Sequence, residues 1–400
     1  MAYGRRYRFP LKQGRILLQK INSEIERLRA VAVLLTLTQH WGNVFAVQRP
    51  WAASIEQYGF WIGVDIFFVI SGFVITASLA EGAFQVNRLE AVKSFFIKRS
   101  FRLFPLAWCW VVIIVITSYV FQRADLLGDR SSNLRAMAGI FLHGANLLAY
   151  CVHAGYGCFK EMPANSFGIY WSLSLEEQFY IFYAFLFFIS RGSIRILIGV
   201  ALVLIAVQLP WARPFPSLGW FIRLDALACG CLLYFFRDSI VTALKGCPVW
   251  IARLGSLSAI FVVTLNAIVI SQWPAGISLI AFLSAIPVLL AVPQKDLSLS
   301  CGAYFNKALQ YLGSRSYSIY LSHMPTMRFI QCIGEPGSGS FASDLLYMGM
   351  VATCILVFSE LGYRFIEMPM RGKGRQIVAK RKHLQGVNPN QSDLHRMATK

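Results

Sequence analysis

Residues 60–80 read FWIGVDIFFVISGFVITASLA, and Asp65 is the one ionisable side chain among them. About 20 predominantly apolar residues in an α-helix cross the hydrocarbon core of a bilayer. This stretch therefore predicts a membrane span that carries one carboxylate inside it. Nine more apolar runs surround it, at about 30–48, 103–121, 175–190, 195–212, 219–236, 250–271, 277–293, 308–330 and 345–366. A further stretch, 134–150, holds Arg135, His143 and Asn146 in a weak apolar pattern and is expected to lie in the interface or to insert only in part.

Composition points the same way. Of 400 residues, 56% are hydrophobic and only 14% charged, with a mean hydropathy of +0.54. A soluble globule covers its surface with roughly 25% charged residues, so a soluble enzyme is excluded. The net charge of +19, from 38 Lys+Arg against 19 Asp+Glu, would elsewhere suggest nucleic acid. Here the basic residues fall in short segments between apolar runs, where topology determinants belong, and no nucleic-acid partner is expected. Nine cysteines form no CxxC or Cys/His spacing, so no metal is expected either.

Charge also orients the spans. With ten of them and a cytoplasmic N-terminus, the inside loops hold Arg88, Lys93, Lys98, Arg99 and Arg102, then Arg191 and Arg195, Arg237 and Lys245, Lys295 and Lys307. Arg213 is the one basic residue in the outside loops around 213–218, 272–276 and 331–344. Making 134–150 a full span would invert everything after it. The predicted fold is thus an all-α, polytopic membrane bundle of about ten helices with both termini cytoplasmic. Residues 1–29 read as a basic cytoplasmic segment without a signal-peptide cleavage pattern, 30–371 as the transmembrane domain, and 372–400 as a disordered basic tail.

Ionisable residues inside spans are candidates for function, because charge in hydrocarbon is costly. Arg29 and His40 lie on one predicted helix, and eleven steps of 1.5 Å set His40 about 16 Å beyond Arg29. The second span enters from the outer side near Phe60, which sets Asp65 about 8 Å below the outer surface, so the two are expected to share a cavity. A carboxylate fixes the tautomer of a histidine and stabilises its imidazolium, which suits a general base. Glu176, Glu177, Arg223, Asp225 and His323 are expected on the same outer half; the alternative is that they only pair with one another at the interface or join helices. On the cytoplasmic side, Arg99 and Arg102 stand three apart on a helix, so both guanidiniums share a face suited to phosphate. Basic residues at that boundary also serve topology alone.

Several motifs occur in one order. Arg29 and His40 frame Arg-x10-His. Gly63-Val64-Asp65-Ile66-Phe67-Phe68-Val69-Ile70-Ser71-Gly72-Phe73 is followed by Arg99-Ser100-Phe101-Arg102 and by Trp171-Ser172-Leu173-Ser174-Leu175-Glu176-Glu177-Gln178-Phe179-Tyr180. Arg223 precedes Gly230, and Ser316-Tyr317-Ser318-Ile319-Tyr320-Leu321-Ser322-His323-Met324-Pro325 and Tyr363-Arg364-Phe365-Ile366-Glu367-Met368-Pro369 close the series. From about residue 25 to 371 the chain resembles the acyltransferase 3 family of bacterial membrane O-acyltransferases. Ile25-Glu26-Arg27-Leu28-Arg29 departs from the family's Leu-Asp-Gly-Leu-Arg, with Arg27 in place of a small residue, and His323-Met324-Pro325 departs from its His-Trp-Pro.

The resemblance implies a multi-pass protein of the bacterial inner membrane that O-acylates, usually O-acetylates, a hydroxyl of a glycan or lipid-linked saccharide such as O-antigen or exopolysaccharide. It implies acyl-CoA as donor substrate and no permanently bound cofactor. His40 matches the family's essential histidine, as general base or transient acyl carrier, with Arg29 as its partner in the motif; Asp65, Glu176 and Glu177 complete the expected catalytic set. Arg99 and Arg102 match the donor-side pair, and Trp171, Arg223, Asp225 and His323 are the expected acceptor-side residues. The rival class is a secondary transporter or glycan flippase, which also holds ionisable groups near the midplane; no internal repeat supports it. In the topology above, Cys151 and Cys158 share a periplasmic loop, where disulfides form and persist, and the two are expected either to bridge or to remain free thiols.

Overall fold

The computed structural model describes residues 22–45, 54–85, 87–156, 165–300, 302–334 and 341–384, and among them the chain is all-helical with no strand. The first helix, α1 (Ser23–Phe45), starts where the Asn22 carboxamide accepts the backbone N–H of Glu24 at 3.0 Å and of Ile25 at 3.2 Å. Such a cap satisfies donors that the first turn cannot. Its first turn also clamps a distant loop. The Glu24 carboxylate accepts the N–H groups of Asp296 and Ser298, both at 2.9 Å, and buried Arg27 pairs with Asp296 at 2.5 Å. Arg27, a departure from the family motif, thus has a local partner of its own. Residues 23–29, expected in a separate N-terminal segment, are the first two turns of α1.

Helix α2 (Ile62–Gln85) is the centre of the bundle: 83% of its most apolar window is buried. Helix α3 (Arg88–Phe121) is capped by Asn87 and runs for 34 residues through Pro105. At 1.5 Å per residue it is about 51 Å long, well beyond a hydrocarbon core of about 30 Å, so the expected span at 103–121 is only its second half. The doubtful stretch 134–150 is two short helices, α4 (Arg130–Phe141) and α5 (Ala145–His153), with the turn residue His143 at φ 57. Each is shorter than the roughly 20 residues that a crossing helix needs.

Next come α6 (Tyr170–Ile189) and the short α7 (Ile194–Ala206). The run at 219–236 is broken: one turn, Leu218–Phe221, precedes α8 (Asp225–Phe235), and Arg223 sits in the break. Then follow α9 (Arg237–Ala243), α10 (Val249–Ser271), α11 (Gly276–Ala291), α12 (Ala303–Ser314), α13 (Ser316–Ile333) and α14 (Phe341–Gly362). A π-helical turn, Tyr363–Glu367, joins α14 to α15 (Met368–Leu384). Residues 372–384, expected to begin a disordered tail, are helical and lie against the projecting half of α3; a Cβ on Gly374 would stand 2.8 Å from that of Phe101.

Two glycines set the central contact. A Cβ on Gly72 would fall 2.0 Å from the Leu227 carbonyl oxygen, and one on Gly230 would fall 2.0 Å from that of Val69. Small residues let helix backbones approach closely where hydrocarbon offers no hydrophobic drive. The α2–α8 approach brings Asp65 beside Arg223. Among the described residues, five runs of helix are long and apolar enough to cross a membrane: Ile62–Ala83, Arg88–Phe121, Leu218–Phe235, Val249–Ser271 and Ala342–His383. Helices α1, α6 and α13 have the length and lack only the apolarity. These three carry His40, Glu176 and His323.

Candidate active site

Three arginines from two helices meet at one cavity of about 90 Å³. Arg29 comes from α1, and Arg99 and Arg102 come from one face of α3, as their spacing requires. Arg29 holds Glu26 at 2.6 Å. Arg99 donates to the Tyr180 hydroxyl at 3.0 Å and lies 4.8 Å from the centroid of its ring. That hydroxyl donates in turn to the Glu176 carboxylate, which also accepts from Ser71. Glu176 and Tyr180 sit four apart on α6 and so share a face. The Nε of Arg102 is buried and has no hydrogen-bond partner among the described residues. Like charges so placed repel one another, and an anion between them would relieve that repulsion.

The same cavity is also lined by Tyr317 and Tyr320 of α13. The Tyr317 hydroxyl donates to the Leu103 carbonyl at 2.6 Å, and that of Tyr320 donates to the Ile169 carbonyl at 2.9 Å, with Ser172 2.6 Å away. Beyond Tyr320 stand the histidines. The ring of His323 is 5.7 Å from that of Tyr320 and 5.1 Å from that of His40, measured between centroids. His323 is fully buried, and its Nδ1 lies 2.6 Å from the Tyr320 carbonyl oxygen.

Asp65 is not the partner of His40. Its carboxylate takes the guanidinium of Arg223 at 3.1 Å, and both side chains are fully buried. Arg223 is further enclosed by three indoles, with its Cζ 4.1 Å from the Trp220 ring, 4.9 Å from Trp61 and 5.2 Å from Trp171. A buried guanidinium needs such neighbours, because desolvated charge is costly unless paired. Asp225 is likewise committed, to Arg213 at 2.5 Å and to the Ser278 hydroxyl at 2.7 Å. Trp171, Arg223 and Asp225 therefore belong to a buried ionic and aromatic layer.

Glu176 and Glu177 are adjacent in sequence and face different neighbours. Glu177 takes Nδ1 of His143 at 2.5 Å. Gln178 fixes the turn that presents this histidine, donating to the His143 carbonyl at 2.7 Å and to the Asn146 carboxamide at 2.8 Å. The hydrogen bond from Glu177 raises the pKa of His143, which lies in the turn outside the spans, and partial burial opposes that shift. The expected convergence of all the polar groups thus resolves into four sets: the arginine cavity with Glu176, the His40–His323 pair, the Asp65–Arg223 layer with Asp225, and the His143–Glu177 dyad.

Sequence reasoning gave no role to Ser71, Tyr180, Tyr320 or His143. The first three stand inside the motifs quoted above, and Tyr180 has a readable signal in its i, i+4 spacing from Glu176. His143 had none beyond being a histidine in a weak apolar run. No group of three His, Cys, Asp or Glu side chains is arranged for a metal ion among the described residues. Cys151 is disulfide-bonded, while its expected partner Cys158 lies outside the described residues.

Comparison with known proteins defines the class. A family model described as an acyltransferase domain, that of acyltransferase 3, matches residues 22–360, and the chain belongs to this family. It is 30% identical over 377 residues to a peptidoglycan O-acetyltransferase, OatA, of Listeria monocytogenes, covering 89% of this chain and 57% of that protein. It is 26% identical over 378 residues to an O-acetyltransferase, OatA, of Staphylococcus aureus, covering 89% and 58%. The chain thus spans somewhat over half the length of these relatives. No solved structure matches.

Proposed function

We propose that the protein is a membrane O-acyltransferase that moves an acyl group, acetyl by preference, from acyl-CoA to a hydroxyl of a cell-surface glycan. The observation that carries this reading is the convergence of Arg29, Arg99 and Arg102 on one cavity whose lining includes Tyr320, the ring neighbour of His323, which in turn neighbours His40. Guanidinium clusters bind phosphates through paired, charge-assisted hydrogen bonds. A CoA thioester carries phosphates at one end and the reactive carbonyl at the other. Along α1, Arg29 and His40 are separated by about 16 Å of helix rise. Held by its phosphates at the arginines, the donor extends its thioester toward the histidines.

In the transfer step His40 accepts the proton of the acceptor hydroxyl. The oxygen attacks the thioester carbonyl, the new C–O bond forms, the C–S bond breaks, and the CoA thiolate leaves and takes up a proton. The alternative course passes through an acyl group carried on His40. Since the Listeria monocytogenes relative is named a peptidoglycan O-acetyltransferase, a peptidoglycan-type sugar stands beside O-antigen and exopolysaccharide as the acceptor. The arrangement fits an inner-membrane protein of about ten spans, its arginines facing cytoplasmic CoA and its histidines nearer the outer surface. The test is release of CoA thiol by membrane vesicles given acetyl-CoA, together with alkali-labile acetate on the glycan. Both are expected to depend on His40. Glycan movement across the membrane without thiol release would make the molecule a flippase instead.

A further inference from the structure

We propose that His323 is the positioning residue of His40: its Nε2 accepts the hydrogen bond of the imidazolium that forms when His40 takes the proton of the acceptor hydroxyl. This deepens the acyltransferase reading and rests on it. Three observations carry the inference. The His40 and His323 rings lie 5.1 Å apart between centroids with their planes inclined by 40°; no hydrogen bond reaches Nε2 of His323 at rest among the described residues, and a rotation that turns a His40 nitrogen toward it brings the two within hydrogen-bond reach. Nδ1 of His323 lies 2.6 Å from the Tyr320 carbonyl oxygen. A carbonyl only accepts, so Nδ1 bears the proton, and the neutral ring then presents Nε2 as a lone pair. That Nε2 is buried and has no hydrogen-bond partner among the described residues. Buried acceptors are nearly always satisfied. Here the fold keeps one open beside the histidine that needs an acceptor.

The rest of the site holds His323 in that state. Tyr320, whose carbonyl sets the tautomer, is itself held through its hydroxyl by Ile169 and Ser172. The Asp65 carboxylate pairs through Oδ2 with Arg223, and no hydrogen bond joins it to either histidine among the described residues. A neutral partner also differs from a carboxylate in kind. A carboxylate in hydrocarbon would keep His40 protonated at rest and so spend its basicity in advance. A neutral imidazole leaves the His40 nitrogen that faces the hydroxyl free to take its proton, while the N–H on the other nitrogen is the donor to Nε2 of His323, a bond that strengthens as the ring becomes an imidazolium. No bond is made or broken at His323, so the balance of the transfer is that given above.

The experiment uses inverted membrane vesicles from cells that make the full chain and its own glycan. They are supplied with labelled acetyl-CoA, and alkali-labile label is measured per molecule of protein as the donor is titrated. His323→Leu keeps the volume and removes the acceptor; His323→Gln restores an acceptor oxygen. The expected result is a loss of at least tenfold in maximal rate for His323→Leu with donor KM unchanged, and partial recovery in His323→Gln. A role in packing reverses the order, because Leu suits a buried apolar site better than Gln. Equal or greater activity of the Leu variant therefore overturns the proposal, as does a change confined to donor KM. Should the Leu variant fail to accumulate, His323→Met against His323→Gln is judged by the same order. Full transfer by His40→Ala would instead remove the acyltransferase mechanism itself, whatever His323 does.

Discussion

The two ends of α1 pose opposite electrostatic problems. At Arg29, three guanidiniums crowd one cavity, and one of them has a buried Nε without a partner among the described residues. At His40, about three turns further along the helix, two imidazoles face each other, the carboxylate expected beside them being tied to Arg223. The first end is built to hold a charged ligand. The second can stay neutral until a proton reaches it. The contrast teaches that recognition and chemistry occupy different places on one helix, and that each can be lost without the other.

The largest expected effect is at the second end. His40→Ala should insert normally and lose glycan acylation by about 10²-fold or more, the usual contribution of a general base, read as alkali-labile acetate per molecule of protein. Asp65 breaks the comparison from another side. Removing one partner of a buried ion pair costs about 3–5 kcal/mol, so Asp65→Asn should lower thermal stability strongly while transfer per folded molecule persists. Normal stability with lost transfer would return Asp65 to the chemistry. At the first end, each charge-assisted contact contributes about 1.5–3 kcal/mol, so Arg99→Ala or Arg102→Ala should raise donor KM roughly ten- to a hundredfold. Lys at either position should recover only part of this, since it lacks the planar fork. The smallest effect is at Gly230, where a Cβ would press on the Val69 carbonyl. Gly230→Ala should cost about 1–3 kcal/mol by overpacking and leave donor KM unaltered, as melting and saturation curves would show.

Much of this was legible in the sequence, because depth along a membrane helix follows from counting residues. Arg29 and His40 fall on one helix and Arg99 and Arg102 on another, as expected, and 134–150 holds two short helices. Rotation about the helix axis was not legible. Counting sets Asp65 and His40 in the same half of the bundle, yet Asp65 turns to Arg223 in the break before α8, and that direction is set by the Gly72–Gly230 approach, a contact between distant segments. Adjacent Glu176 and Glu177 illustrate the same limit, since a step of one residue sends them to Tyr180 and to His143. The helix after Met368 was missed for a different reason. Its basic composition reads as a solvated tail, whereas Gly374 packs on Phe101 of the projecting half of α3.

The most direct measurement sets the two ends against each other in one pair of proteins. Purified His40→Ala and Arg99→Ala/Arg102→Ala chains in nanodiscs would be compared for acetyl-CoA binding, and the same variants in vesicles for acyl transfer at saturating donor. Division of labour along α1 predicts that His40→Ala binds acetyl-CoA as the unaltered chain does and transfers nothing. It predicts that the double arginine variant binds weakly and still transfers once donor is raised. Loss of binding in His40→Ala, or undiminished binding in the double arginine variant, would contradict it.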